Sequence, residues 1–181
     1  MLDGRALVPG DNFGSPFVPC LRSCRAALVA APILVALAMV CPAFAGIEAG
    51  AKAVQANDMP TAEKELQPLA KERDPRAQFL LGLYVYGNPN SKLFDLTKGA
   101  PLLLDAAERG YAPAMIPLAG AYADGKGVPK SMYDAFKWLL IAERWNVPNA
   151  GQLLEQVSKD LKPEEVEKAK AEAVAFTFKL K

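Results

Sequence analysis

Ala77-Gln78-Phe79-Leu80-Leu81-Gly82-Leu83-Tyr84-Val85-Tyr86-Gly87 returns in altered form as Met115-Ile116-Pro117-Leu118-Ala119-Gly120-Ala121-Tyr122-Ala123-Asp124-Gly125. A proline opens each copy, Pro75 and Pro113, which sets the copies 38 residues apart. Self-similarity at that period belongs to stacked helical repeats. Such units cannot bury their apolar faces alone, so they stack and leave an extended groove whose usual use is binding.

The punctuation around the two copies reads as helix. Asp74-Pro75 supplies an N-cap carboxylate followed by proline in the first turn, and Gly87 stands where a left-handed residue closes a helix. A second helix is expected from about Leu96 to Arg109, with Leu102, Leu103, Ala106 and Ala107 at helical spacing and Gly110 as its stop. The cycle repeats from Pro113 to Gly125, turns through Gly125-Lys126-Gly127-Val128-Pro129 and continues from about Met132 to Trp145. A third cycle runs from Pro148 to about Ser158 and from Pro163 to Phe178, with Glu164, Glu165 and Glu167 near the start of its last helix and Lys179 and Lys181 beyond its end, matching the macrodipole. Upstream, Ile47 to Asn57 and Pro60 to Arg73 give one more helical pair, and nothing reads as a strand.

Leu80 and Tyr84, like Leu118 and Tyr122, stand four residues apart on one helical face, and this spacing predicts that both tyrosines pack between helices. Gly82 and Gly120 between them offer a patch free of side chains, where a neighbouring helix can approach closely.

The first 45 residues are of another kind. Arg22 and Arg25 precede an apolar run from Ala26 to Cys41, and Ala43-Phe44-Ala45 follows as an A-x-A cleavage signal. The run is interrupted by Pro32 and falls short of the ~20 residues a spanning helix needs. Residues 1–45 are therefore expected to be a signal peptide, with export to the periplasm or beyond and no membrane insertion after cleavage. Residues 46–181 form the mature domain, with repeats at about 75–110 and 113–147 and a degenerate one at 148–178.

Cys20, Cys24 and Cys41 all leave with the signal, which excludes thiol catalysis and cysteine metal sites from the mature domain. Three of the 21 basic and two of the 20 acidic residues precede Gly46, leaving 18 of each. With both signs interspersed along helices, there is no electrostatic case for nucleic acid. The chain has no histidine, so histidine relays, Ser-His-Asp nucleophiles and histidine metal ligands are excluded. Ser131 beside Lys130 reads as a helix cap, because adjacent residues do not face each other on a helix. The pairs Glu63/Glu65 and Glu164/Glu165 read as solvated helical faces, and Gly125-Lys126-Gly127 as an interhelical turn without the strand and Lys-Ser or Lys-Thr of a phosphate loop. No catalytic residue, metal or cofactor is expected.

These residues resemble the Sel1-like repeat family, relatives of tetratricopeptide solenoids. Its unit looks like A-x-x-x-L-G-x-x-Y-x-x-G-x-G-V-x-x-D-x-x-K-A-x-x-W, and Leu118, Tyr122, Gly125, Gly127, Val128, Asp134, Ala135 and Trp138 fall in or near those places. In the first repeat Leu80, Tyr84 and Gly87 fit, but Asn88-Pro89-Asn90-Ser91 replaces the glycine turn. The stretch Glu63–Ala70 is similar to the helix preceding such arrays, and Leu161-Lys162-Pro163-Glu164-Glu165 to their terminal helix. The resemblance implies an all-α fold, a right-handed solenoid of about four antiparallel helix pairs. It also implies a non-enzymatic adaptor with a protein or peptide partner in the groove. Two alternatives stand beside that reading: a periplasmic regulator of a membrane sensor protein, and a cell-envelope hydrolase. The family members associated with β-lactams are rich in cysteine, unlike this mature chain. In tetratricopeptide-like stacks the first helix of each pair lines the concave side, which makes Gln78, Val85 and Tyr86, with their counterparts Ile116, Ala123 and Asp124, the candidate binding residues.

Overall fold

The computed structural model describes residues 42–179, so residues 1–41 of the expected signal segment, its three cysteines and Lys181 lie outside the described residues. Eight α-helices follow one another: α1 (Pro42–Gln55), α2 (Met59–Lys71), α3 (Pro75–Leu80), α4 (Leu96–Glu108), α5 (Met115–Asp124), α6 (Met132–Arg144), α7 (Ala150–Ser158) and α8 (Pro163–Ala175). There is no strand among the described residues. Each helix from α1 to α6 packs on its successor, as in a solenoid, whereas α7 and α8 both pack on α6 instead of forming a fourth hairpin.

Local chemistry explains the starts. Asp74 accepts from the Arg76 N–H (2.9 Å) and Asp95 from the Thr97 N–H (3.1 Å), while the Ser131 hydroxyl accepts from the Asp134 N–H (3.1 Å), the cap expected of it. The ends are more regular still. After α1, α2, α4 and α6 the chain turns through one left-handed residue, Asn57, Arg73, Gly110 and Asn146. At each turn the next N–H donates back five residues: Asp58 to Ala53 (2.9 Å), Asp74 to Leu69 (2.9 Å), Tyr111 to Ala106 (3.0 Å) and Val147 to Ala142 (2.9 Å). Gly87 is not left-handed. It is a glycine because a Cβ there would stand 2.5 Å from the Leu83 carbonyl oxygen.

The register of the repeats is not the one the sequence predicted. Arg73 to Gly110 is 37 residues and Gly110 to Asn146 is 36. Buried small and large residues keep the first spacing: Ala77 answers to Ala114 and Leu81 to Leu118, and one cycle later Ala150 and Leu154 occupy the same places. Between Leu81 and Tyr86 the helix widens into a single π-turn, Leu81–Val85, closed by the Tyr86 N–H on the Leu81 carbonyl (2.9 Å). That turn absorbs one extra residue. Beyond it the spacing is 36: the Tyr86 carbonyl accepts from Asp95 N–H and the Tyr122 carbonyl from Ser131 N–H, both at 2.9 Å. The tyrosine matching Tyr122 is therefore Tyr86. Tyr84, expected in the core, is 43% exposed and rests edge-on against Phe79, centroids 5.9 Å apart. Gly82 does serve as a close-approach patch, facing the Gly99 carbonyl, but Gly120 faces open space.

Two cores result. Ala53, Met59, Leu66, Leu69, Leu81 and Val85 unite α1, α2 and the first repeat, and a larger cluster around Met115, Leu118, Trp138, Leu139, Ile141 and Leu154 unites α4 to α8. Helix α4 serves both, with Leu102 against the first and Leu103, Ala106 and Ala107 in the second. The last helix stops three residues earlier than expected, at Ala175, and Phe176–Lys179 continues without helix. Lys179 consequently does not serve the macrodipole of α8; its ammonium meets the Glu108 carboxylate on α4 at 2.6 Å.

Candidate docking surface

The six residues expected to line the groove do not form one surface. Gln78 is only 3% exposed, and its Nε2 donates to Asp105 Oδ2 (2.5 Å) and the Ala70 carbonyl (3.4 Å), tying α2, α3 and α4 together. Val85 is fully buried. Tyr86 is buried, and its hydroxyl donates to Glu63 Oε1 at 2.6 Å. Burial first and the Glu63 bond second push this phenol up to about 12. The one-residue shift at the π-turn is the physical reason that Val85 and Tyr86 point inward. Ile116 and Ala123 are half-buried, Ile116 against the larger core. Asp124 alone is exposed, and the Lys126 ammonium 2.7 Å away holds its carboxyl below the usual range.

Two depressions among the described residues lie where the second helices of the pairs meet. One of about 350 Å³ is walled by α2, the π-turn and α4, with Leu81, Leu102 and Pro101 as apolar lining and Lys71 and Lys98 as its cations. The larger, about 420 Å³, is shared by α4, α5, α6, α8 and the segment that follows α8. Leu104, Trp138 and Phe176 make it apolar, and Glu108, Asp134 and Glu172 give it three carboxylates, with the ammonium of Lys137 in its lining and that of Lys179 against Glu108.

Charge inside this pocket is organised around Lys137. Its Nζ lies 3.0 Å from Asp134 Oδ1 and 3.5 Å from Glu172 Oε2. Burial works against the ammonium, but the two carboxylates outweigh it and hold Lys137 above its ordinary value. Burial likewise opposes the Asp134 carboxylate, and the Ser131 hydroxyl (2.7 Å) with Lys137 overcomes it and lowers the acid. Burial raises the Tyr122 phenol at the rim. No group of histidine, cysteine and carboxylate side chains suited to a metal ion occurs among the described residues.

Of this lining, the sequence singled out Tyr122, Asp134 and Trp138 as repeat positions, but not as a surface. Leu104 and Glu108 sit four apart on α4, as do Asp134 and Trp138 on α6, so a comparison of the second helices would have found the pocket's walls.

Comparison with known proteins bears on the fold. No family model matches the chain, and neither does any curated protein. Among solved structures it is similar to c5321, a protective antigen present in uropathogenic Escherichia coli strains displaying a Sel1-like repeat fold, with a TM-score of 0.65 and 22% identity. The match covers 74% of this chain and 30% of that one. The described residues thus have an all-α solenoid fold of the Sel1-like repeat type.

Proposed function

We infer that the chain is a non-catalytic interaction scaffold that receives a segment of a partner protein in the pocket between α4, α6 and α8. The observation that carries this reading is the pocket's composition: an apolar lining of Leu104, Trp138 and Phe176 beside a carboxylate excess from Glu108, Asp134 and Glu172. Such a site takes a side chain with an apolar stem and a basic head, the kind of contact a lysine or arginine of an extended segment makes. Non-catalytic use is supported by a chain without histidine and a mature domain without cysteine.

The scaffold works in the periplasm or outside the cell. Arg22, Arg25, the apolar run and Ala43-Phe44-Ala45 support export. Cleavage after Ala45 removes the first turn of α1 and spares Gly46 and Gly50, whose missing side chains let Leu69 and Leu66 of α2 approach. Among the described residues no helix is long and apolar enough to cross a membrane.

Site-specific photo-crosslinking tests the docking reading. A photoreactive side chain at Leu104 forms a discrete adduct with the partner, Glu172→Lys abolishes it, and the same group at Tyr84 forms none. Adducts from Tyr84 and none from Leu104 would place the partner on the other face and overturn the reading.

A further inference from the structure

The chain after α8 is held the way a foreign peptide is held. At Phe176 the backbone turns extended (φ −66°, ψ 130°), and the residues that follow alternate: Phe176 and Phe178 half-buried, Thr177 and Lys179 exposed. Phe176 sets its edge on Trp138 (5.3 Å, 69°) and Phe178 on Trp145 (4.8 Å, 79°). The Phe178 ring also covers Gly110, where a Cβ would already touch it at 3.5 Å. The Lys179 N–H donates to the Glu108 carbonyl (2.7 Å) at the end of α4, and its ammonium meets the Glu108 carboxylate (2.6 Å). Main-chain bonding together with side chains caught at every second residue is the grammar of extended-peptide recognition.

We propose that Glu108, Gly110, Trp138 and Trp145 form a receptor for an extended aromatic-x-aromatic-basic segment, occupied in cis by the chain's own Phe176–Lys179, which a partner segment of that pattern displaces. This rests on the docking function above and adds its control. The strap supplies one wall of the acidic pocket through Phe176 and occupies one of its carboxylates through Lys179. Its removal opens the pocket and frees Glu108 in the same step. The hold is light, since both rings remain partly in water and the ammonium side chain is 65% exposed. What keeps the strap seated is its tether: a covalently linked segment acts at an effective concentration of the order of millimolar, so a receptor of modest intrinsic affinity stays filled.

Fluorescence anisotropy with a labelled peptide of residues 175–181, Ala-Phe-Thr-Phe-Lys-Leu-Lys, tests this on the full chain. The double variant Phe176→Ala/Phe178→Ala is expected to bind the peptide at least ten times more tightly than the parent, whose receptor is filled. Glu108→Lys added to that variant abolishes binding, and a peptide with glutamate in place of Lys179 restores it. The single variant Lys179→Glu, altered only at an exposed side chain, keeps its fold and gains peptide affinity several-fold. Equal binding to parent and variants, or no binding to variants that melt like the parent, overturns the proposal. Peptide binding without adducts from Leu104 sinks the scaffold reading alone, and adducts without peptide binding sink the strap alone.

Discussion

Gly82 and Gly99 stand back to back: a Cβ on the first would lie 2.8 Å from the Gly99 carbonyl oxygen, and a Cβ on the second 2.7 Å from that of Gly82. Real Cβ atoms do not approach backbone so closely, so the π-turn and α4 are in contact only because both residues lack side chains. Gly82→Ala and Gly99→Ala are each expected to destabilise by about 1–3 kcal/mol, the range of overpacked cores. Gly120, which the sequence offered as the equivalent of Gly82, would meet nothing within 4 Å. Gly120→Ala should therefore stabilise α5 by up to about 1 kcal/mol. Urea unfolding of the three variants checks both signs.

The π-turn makes a deletion testable. Removing the exposed Tyr84 leaves Tyr86 four residues after Leu81, the spacing that joins Tyr122 to Leu118 in the next repeat. The deleted chain is expected to fold with an ordinary α-helix here and to lose no more than about 1 kcal/mol, a modest change for a core-adjacent alteration. Deleting Gly120 from α5, which has no spare residue, should abolish cooperative melting. Circular dichroism melts of the two deletions distinguish the outcomes.

Tyr86 confers an alkaline limit on stability. Its phenol is raised to about 12 by burial and by Glu63, above the unfolded value of about 10. A group raised in the folded state contributes stability that is whole below the unfolded pKa and is lost as pH climbs through the folded one. Unfolding free energy measured against pH should fall between pH ~10 and ~12 in the parent. Tyr86→Phe should make that segment of the curve shallower, the remaining fall coming from the other raised phenols, Tyr133, Tyr111 and Tyr122.

Left-handed turns allow a paired experiment. Arg73 and Gly110 hold the same position one repeat apart, with φ of 65° and 81°. A side chain in that conformation costs roughly 1–2 kcal/mol, so Gly110→Ala should lose about that much and Arg73→Gly should recover up to about 1 kcal/mol. Thermal melts of both variants test whether the turns are equivalent.

Helix starts were legible because they are local: Asp74-Pro75 and Ser131 carry their own partners within three residues. So was the helical repeat, since alanine and leucine recur at matching places. Its register was not. Pro75 with Pro113 and Tyr84 with Tyr122 agree on 38 residues, and an extra residue inside a helix needs neither glycine nor proline to mark it. Once the offset is wrong, Gln78, Val85 and Tyr86 are assigned to an open face that in fact lies inside. The strap was hidden for a different reason: Phe176 and Phe178 extend an apolar pattern that α8 could have continued, and only long-range contacts to Trp138, Trp145 and Glu108 draw the chain away.

A repeat stack in which each unit touches only its neighbours yields to force piecemeal, peeling from a free end one hairpin at a time. The bond from Lys179 to Glu108 spans 71 residues and clasps the far end of this stack to its middle. A pull applied between α4 and the end of α8 meets the clasp first. Because its hold is light, the clasp should open at low force as a distinct first event before the helices peel away in turn, and a molecule with the strap released should lack that event.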